Sequence, residues 1–237
     1  MTSESIHDVT DVIRSAARTL HDADIDTPEH DAKLLLAEAC GRDLRDIDKA
    51  MLMGEPLDGL PHEHASFDAP DAGAATAGDA VTTALARFHA MIARRAAREP
   101  LQYITGHAPF RYLDLEVGPG VFIPRPETET VVQAGIDWLT RERLSTPRIV
   151  DLCAGSGCVG LGLCSLYPAA AVTAVELSDE AFVYLKENTA RYPAYRVWPI
   201  QADVLADGER FGGVYQAVLA NPPYIPAAEL PSLMREV

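Results

Sequence analysis

Apolar residues near the start of the chain recur three or four positions apart, which is the repeat of a helix with one buried face. This repeat predicts a helix from Ile6 to Leu20. The tripeptide Thr-Pro-Glu at 27–29 has the order of an N-cap, a first-turn proline and a first-turn acid, so it predicts a second helix that Gly41 can end. A third helix fits residues 43–53, before Gly54. This part of the chain is therefore predicted to be all helical.

Residues 57–86 differ in composition from their surroundings, because they are rich in Ala and acidic and contain neither Lys nor Arg. Such a segment is typical of a flexible insertion or linker. The next helix is predicted from Val81 to Arg98, and its arginines at 87, 94 and 98 share one face. That face is either solvated or a patch for an acidic partner.

Short apolar runs alternate with helical patterns in the second half of the chain, where a helix begins at Pro126. The predicted strands are Arg148–Leu152, Ala171–Glu176, Val197–Ala202 and Gln216–Ala220, with helices near 157–166 and 179–190. This alternation predicts an α/β fold with a parallel sheet, whose ligands bind beyond the carboxyl ends of the strands. The Gly, Pro and aromatic residues of 99–126 predict a hairpin that joins the two halves.

The charge balance is acidic, with 20 Lys and Arg against 35 Asp and Glu and a net charge of −15. Because binding to a nucleic-acid backbone needs Lys and Arg, stable nucleic-acid binding is disfavoured. The chain has no basic and apolar leader and no run of about 18 apolar residues, so we expect a soluble cytoplasmic protein with no membrane contact. The four cysteines form no CxxC pair, which indicates reduced thiols and no metal site.

A glycine-rich turn, Asp-Leu-Cys-Ala-Gly-Ser-Gly at 151–157, connects the first strand to its helix and lets the backbone approach a ligand closely. Together with Gly160 and Glu176 it also matches a dinucleotide fingerprint, in which the acid binds ribose hydroxyls. Asp151 favours S-adenosylmethionine instead, because its carboxylate would attract an ammonium and a sulfonium and repel a pyrophosphate. Asp203, after the third strand, is predicted to accept a hydrogen bond from the adenine amino group or to cap the strand end.

The string Asn-Pro-Pro-Tyr at 221–224 follows the fourth strand. Its prolines lack N–H groups and have a fixed φ, so nearby carbonyls are held as acceptors outside the sheet. The side-chain oxygen of Asn221 and the carbonyl of Pro222 are predicted to accept the two hydrogens of a planar NH₂ group, while Pro223 and Tyr224 complete the site and Tyr224 covers the flat face. Both acceptors bind more strongly as the nitrogen becomes cationic. We therefore predict methyl transfer to an amino or amide nitrogen.

With these motifs, the chain resembles the peptide chain release factor glutamine methyltransferases, the HemK/PrmC family of protein-(glutamine-N5) methyltransferases. The resemblance covers nearly the whole chain and rests on residues 26–37 (DTPEHDAKLLLA), 99–106 (EPLQYITG), 122–129 (FIPRPETE), 151–157 and 221–224. The IPRPETE string is the most specific, because nucleic-acid amino-methyltransferases share the other motifs. An adenine-N6 methyltransferase therefore remains an alternative, and an NAD-binding protein without transferase activity is a second.

The resemblance implies an N-terminal helical bundle domain (1–98) that recognises the substrate, a connecting hairpin (99–126) and a Rossmann-like S-adenosylmethionine-dependent methyltransferase domain (127–237). The implied substrate is the glutamine in the Gly-Gly-Gln loop of class 1 release factors, methylated by a monomeric enzyme. Relatives continue with two more strands, so the sheet is expected to be incomplete here.

Sequence and resemblance together assign two sets of site residues. Asn221, Pro222, Pro223 and Tyr224 would hold the glutamine amide, with Asn221, Pro222 and Tyr224 catalytic. Cys153 replaces the first glycine of the D-x-G-x-G-x-G pattern, and Val204 would flank the adenine, where relatives often carry a larger residue. The cofactor-binding set is Asp151, Cys153, Ala154, Gly155, Ser156, Gly157, Glu176, Asp203, Val204 and Asn221.

Overall fold

The structure is a computed structural model that describes residues 8–60 and 77–223. The chain divides into two compact units, with Thr105 in the first and Gly106 in the second. This division lies after the predicted domain boundary at residue 98. A short helix, Leu101–Thr105, explains the difference, because its Ile104 is buried in the hydrophobic core of the N-terminal helices. The two units are described separately below.

The N-terminal unit is helical, as the sequence predicts. Its helices are α1 (Val9–Asp22), α2 (Pro28–Cys40), α3 (Leu44–Met53), α4 (Ala77–Ala96) and α5 (Leu101–Thr105). Helix α2 has Thr27 as its N-cap and Pro28 in its first turn, and Gly41 ends it with a left-handed φ of 62°. These ends agree with the predicted ones, because capping depends on residues that are neighbours in the chain.

The predicted flexible insertion at 57–86 is in part ordered structure. Leu57 and Leu60 are buried in the helical core, and α4 begins at Ala77 instead of Val81. Alanine is the strongest helix former, so an Ala-rich composition is as compatible with a helix as with a linker. Residues 61–76 lie outside the described residues.

The arginines predicted to share one face bind groups of their own unit. The contacts are Arg87 with Glu38, Arg94 with Glu99, and Arg98 with the carbonyls of Ala23 and Asp24. These arginines therefore make contacts within the helical unit. The sequence alone had allowed either a solvated face or a patch for an acidic partner.

The second unit contains a hairpin and a parallel sheet. The hairpin strands are β1 (His107–Phe110) and β2 (Leu113–Glu116), and a 3₁₀ turn at Pro126–Thr128 leads into α6 (Glu129–Glu142). The sheet strands are β3 (Arg148–Leu152), β4 (Ala171–Glu176), β5 (Val197–Gln201) and β6 (Ala217–Ala220), with α7 (Cys158–Leu166) and α8 (Asp179–Arg191) between them. Each strand and helix of this sheet was predicted to within one residue at either end.

The order of the strands is β5-β4-β3-β6, with all neighbours parallel. The chain builds outward from β3 through β4 to β5, and then returns to place β6 on the other side of β3. Such a reversal opens a crevice beyond the carboxyl ends of the two strands, where ligands bind in this class of fold. The predicted α/β fold with a Rossmann-like domain is confirmed.

Among the described residues, no helix combines the length and the apolar character needed to cross a membrane. The four cysteines are free thiols, three of them buried. Within the same ranges, no cluster of His, Cys, Asp and Glu has the arrangement of a metal site.

Candidate active site

The turn after β3 has a left-handed backbone at three alternate residues, namely Cys153 (φ 58°), Gly155 (φ 56°) and Gly157 (φ 84°). A Cβ on Gly157 would lie 2.8 Å from Leu185 Cδ1, so α8 packs directly against this turn. In contrast, a Cβ on Gly155 would have no described atom within 4 Å apart from its chain neighbours. The turn is therefore closely packed on one side and open to a ligand on the other.

We expect Cys153→Gly to stabilise the protein by about 0.5–1 kcal/mol, because a side chain in the left-handed region is strained and glycine is not. For a chain of this size the melting temperature should rise by about 1–4 °C in a thermal unfolding experiment. Cys153→Ala is the matched control, since it removes the thiol but keeps the Cβ, and it should produce no rise. An equal rise in both variants would contradict this explanation.

Glu176, at the end of β4, connects that strand to the glycine turn. Its Oε2 accepts the N–H of Gly155 at 2.8 Å, and its Oε1 accepts the N–H groups of Leu177 and Ser178 at 2.9 Å each. A carboxylate oxygen has two acceptor positions, so Oε2 keeps one for a further donor. Glu176 thus shapes the turn, and its contact with ribose hydroxyls stays a prediction.

Asp151 is placed differently from the sequence-based expectation. Its side chain is 1% exposed, and Oδ2 accepts the N–H of Gly160 in α7 at 2.9 Å. Oδ1 is buried without a hydrogen-bond partner among the described residues. Burial, together with the charge of Glu176, raises the pKa of this carboxyl to about 7. Asp151 therefore anchors α7 from a buried position, and its attraction of a charged cofactor group stays a prediction.

The raised pKa of Asp151 has a consequence for stability. Between its ordinary pKa of 3.8 and its native pKa of about 7, the native state binds more protons than the unfolded state. Stability from this group is thus full below pH 4 and is lost as the pH rises to 7. Between pH 5 and 8 we expect the wild type to lose about 2–3 kcal/mol that Asp151→Asn does not lose.

Denaturant unfolding at a series of pH values checks this expectation. Asp137→Asn is the control, because Asp137 is exposed on α6 and its replacement should leave the pH dependence of the wild type unchanged. The same pH dependence in Asp151→Asn and in the wild type would mean that Asp151 ionises normally in the folded protein.

Asn221 follows β6 directly and is half-buried, while Pro222 and Pro223 are exposed. The Nδ2 of Asn221 donates a hydrogen bond to Oγ1 of Thr128 at 3.2 Å. No hydrogen bond among the described residues occupies its Oδ1, which is the predicted acceptor. Tyr224 lies outside the described residues.

The register of the sheet brings the two motifs together. Leu152 in β3 pairs with Ala220 in β6, so Cys153 and Asn221 leave adjacent parallel strands at the same level. Neighbouring strands lie about 4.8 Å apart. The glycine turn and the Asn-Pro turn therefore begin side by side at the carboxyl edge of the sheet.

The remaining predicted cofactor residues have structural contacts of their own. Oδ1 of Asp203 accepts a hydrogen bond from the N–H of Leu205 at 2.8 Å. This contact is the strand-end cap that the sequence offered as the alternative to adenine binding. Val204 is half-buried, and Ala154 donates its N–H to the carbonyl of Val175 at 2.9 Å. Ser156 is 1% exposed, and its buried hydroxyl lies beside the Cys158 thiol. Their contacts with a cofactor stay predictions.

Asn188 was not predicted as a site residue, although it supports the glycine turn. It is fully buried in α8, where Oδ1 accepts the N–H of Glu116 at 2.7 Å. Its Nδ2 donates to the carbonyls of Glu116 and Ser156 at 2.9 and 3.0 Å. The signal in the sequence was a polar residue at a buried position of a helix. Asn188 ties the hairpin to the turn.

Comparisons with known proteins identify the family. The family model described as Conserved hypothetical protein 95 matches residues 101–237, and that of the PrmC N-terminal domain matches residues 76–106. A release factor glutamine methyltransferase of Bifidobacterium longum is 50% identical over 231 residues, which are 94% of this chain and 71% of the relative. The chain belongs to the family of release factor glutamine methyltransferases.

Another release factor glutamine methyltransferase, from Streptomyces coelicolor, is 49% identical over 144 residues, or 61% of this chain and 50% of the relative. The chain thus spans 50% to 71% of the length of these two relatives. Among solved structures, the ribosomal protein L11 methylase of Lactobacillus delbrueckii subsp. bulgaricus is similar over 46% of this chain and 52% of its own, with 23% identity and a TM-score of 0.36.

The resemblance that the sequence motifs indicated is therefore confirmed, and so is the prediction that the chain is a methyltransferase of this family. The names of the relatives favour release factor glutamine methylation over methylation of an adenine in nucleic acid.

Proposed function

We propose that this protein transfers a methyl group from S-adenosylmethionine to the side-chain amide nitrogen of the glutamine in the Gly-Gly-Gln loop of class 1 release factors. The observation that carries the proposal is the pairing of Leu152 with Ala220, because the glycine turn and the Asn-Pro turn then follow adjacent strands. A donor and an acceptor must be held next to each other for a direct transfer.

The proposed cofactor site consists of residues 153–157 and Glu176, with Asp203 and Val204 near the adenine. Gly155 supports it, because the space beside its backbone is open. S-adenosylmethionine, when bound, supplies an electrophilic methyl group. The second acceptor position of Glu176 Oε2 is available for a polar contact with it.

Asn221 and Pro222 are the proposed acceptors for the glutamine NH₂ group, with Pro223 and Tyr224 completing its site. Oδ1 of Asn221 and the carbonyl of Pro222 each accept one hydrogen, which orients the nitrogen for attack on the methyl group. As the N–C bond forms and the methyl–sulfur bond breaks, positive charge develops on the nitrogen, so both acceptors bind the transition state more strongly than the substrate. The methylated nitrogen then releases one of its two hydrogens to solvent as a proton. The proposed mechanism needs no covalent intermediate with the protein.

The direct test is incubation of the protein with a class 1 release factor and S-adenosylmethionine that carries a labelled methyl group. Label should appear on the glutamine of the Gly-Gly-Gln loop and should be absent when that glutamine is replaced by Ala in the factor. Label that persists after this replacement would refute the proposed substrate. Labelling of bare DNA or RNA would favour the nucleic-acid alternative, and calorimetry with S-adenosylmethionine and with NADH separates the two cofactors.

A further inference from the structure

Thr128 contacts the amide that is proposed to bind substrate. It lies 93 residues from Asn221 in sequence, yet its Oγ1 accepts a hydrogen bond from Asn221 Nδ2 at 3.2 Å. Thr128 is 6% exposed, whereas Asn221 is half-buried and is followed by exposed residues. Thr128 therefore contacts the amide from the more buried side of the unit.

The backbone around Thr128 is held at two points. Its N–H donates to the carbonyl of Arg125 at 3.0 Å within the 3₁₀ turn, and α6 begins at the next residue. Arg111, in the turn of the hairpin, donates to the carbonyl of Glu129 at 3.2 Å. The backbone that carries the Thr128 hydroxyl is thus constrained. A group that orients another side chain needs such a fixed position.

The two ends of an asparagine amide have almost the same shape but opposite hydrogen-bonding character. If Nδ2 of Asn221 faced the substrate, its hydrogens would point at the hydrogens of the glutamine NH₂ group. In the structure Nδ2 lies on the side of Thr128 and donates to its hydroxyl, so Oδ1 lies on the other side as an acceptor. Only this orientation suits methyl transfer.

We infer that Thr128 is a positioning residue whose hydroxyl fixes the Asn221 amide with its oxygen toward the substrate nitrogen. The inference rests on the proposed function and deepens it, because it adds a residue from the IPRPETE string to the transfer machinery. Thr128 acts through Asn221 and does not touch the substrate.

Thr128→Val keeps the shape of the side chain and removes the hydroxyl. It should lower kcat for methyl transfer about tenfold, as expected for one lost hydrogen bond, with cofactor affinity and melting temperature close to those of the wild type. Thr128→Ser keeps the hydroxyl and should retain most of the activity. Thr130→Val is the matched control, because it removes an exposed hydroxyl that bonds only locally to the carbonyl of Glu127.

A double mutant separates positioning from a structural role. In an Asn221→Ala background, Thr128→Val should cause no further loss of kcat, because no amide remains to be oriented. A further tenfold loss there, or equal losses in Thr128→Ser and Thr128→Val, would overturn the inference. Full activity of Thr128→Val would also overturn it and leave the proposed function intact. Absence of methyl transfer by the wild-type protein would instead contradict the proposed function itself.

Discussion

Replacement of Asn221 by Ala should lower the turnover number for the glutamine substrate by about 10²-fold or more. In the proposed mechanism Oδ1 accepts a hydrogen of the reacting nitrogen, and this hydrogen bond strengthens as the nitrogen becomes cationic. Its loss therefore raises the barrier to transfer more than it weakens binding. Affinity for S-adenosylmethionine should stay nearly unchanged. Single-turnover rates with labelled cofactor and calorimetric titration measure the two effects separately.

Gln216→Ala is a suitable control for this experiment. Gln216 also carries an amide, but it lies at the opposite end of β6, where Oε1 accepts the N–H of Arg148 at 2.7 Å. Its replacement should leave turnover close to that of the wild type. Unchanged turnover in Asn221→Ala would refute the proposed role of Asn221, and a parallel loss of cofactor affinity would make this residue a cofactor ligand instead.

Replacement of Arg95 by Met should lower the free energy of unfolding of the helical unit by about 3–5 kcal/mol. Arg95 Nε donates to Asp31 Oδ2 at 2.7 Å, and the two side chains are only 9% and 4% exposed. Arg95 also donates from Nη1 to the carbonyl of Glu99 at 3.1 Å. Without the guanidinium, the buried carboxylate of Asp31 loses its ion-pair partner and keeps the hydrogen bond from Thr27 Oγ1. Denaturant unfolding followed by circular dichroism measures the loss.

Two further variants identify the cause of that loss. Arg87→Met, on the same helix, breaks a pair whose side chains are 42% and 27% exposed and should cost less than about 1 kcal/mol. The double replacement Asp31→Leu and Arg95→Met removes both charges and should recover most of the stability. If Arg95→Met were no more destabilising than Arg87→Met, the buried pair would not be a principal support of this unit.

Most helices and strands could be predicted because their signals are local. Thr27 and Pro28 mark the start of α2, and the limits of β3 and β4 agree with the predicted strands at both ends. Helix α5 was not predicted, since its five residues are too few to reveal a helical repeat. The start of α4 was placed too late because composition alone does not distinguish an Ala-rich helix from a linker.

The site was predictable as two motifs but not as a set of contacts. The motifs were expected near each other because the carboxyl ends of parallel strands share an edge. The sequence did not reveal that β3 and β6 are neighbours, which depends on the pairing of distant segments. Thr128 and Asn188 were missed for the same reason, because their partners lie far from them in sequence.

The sequence by itself determined the types of the elements, the glycine turn and the proline-held acceptor turn, because each depends on residues close together in the chain. Only the tertiary structure decided that Leu152 pairs with Ala220, that α7 covers Asp151, and that Thr128 meets the amide of Asn221. The physical reason is that the burial and orientation of a side chain arise from packing between elements. Packing brings together residues that are far apart in sequence, and no periodic pattern of residues reveals such pairs.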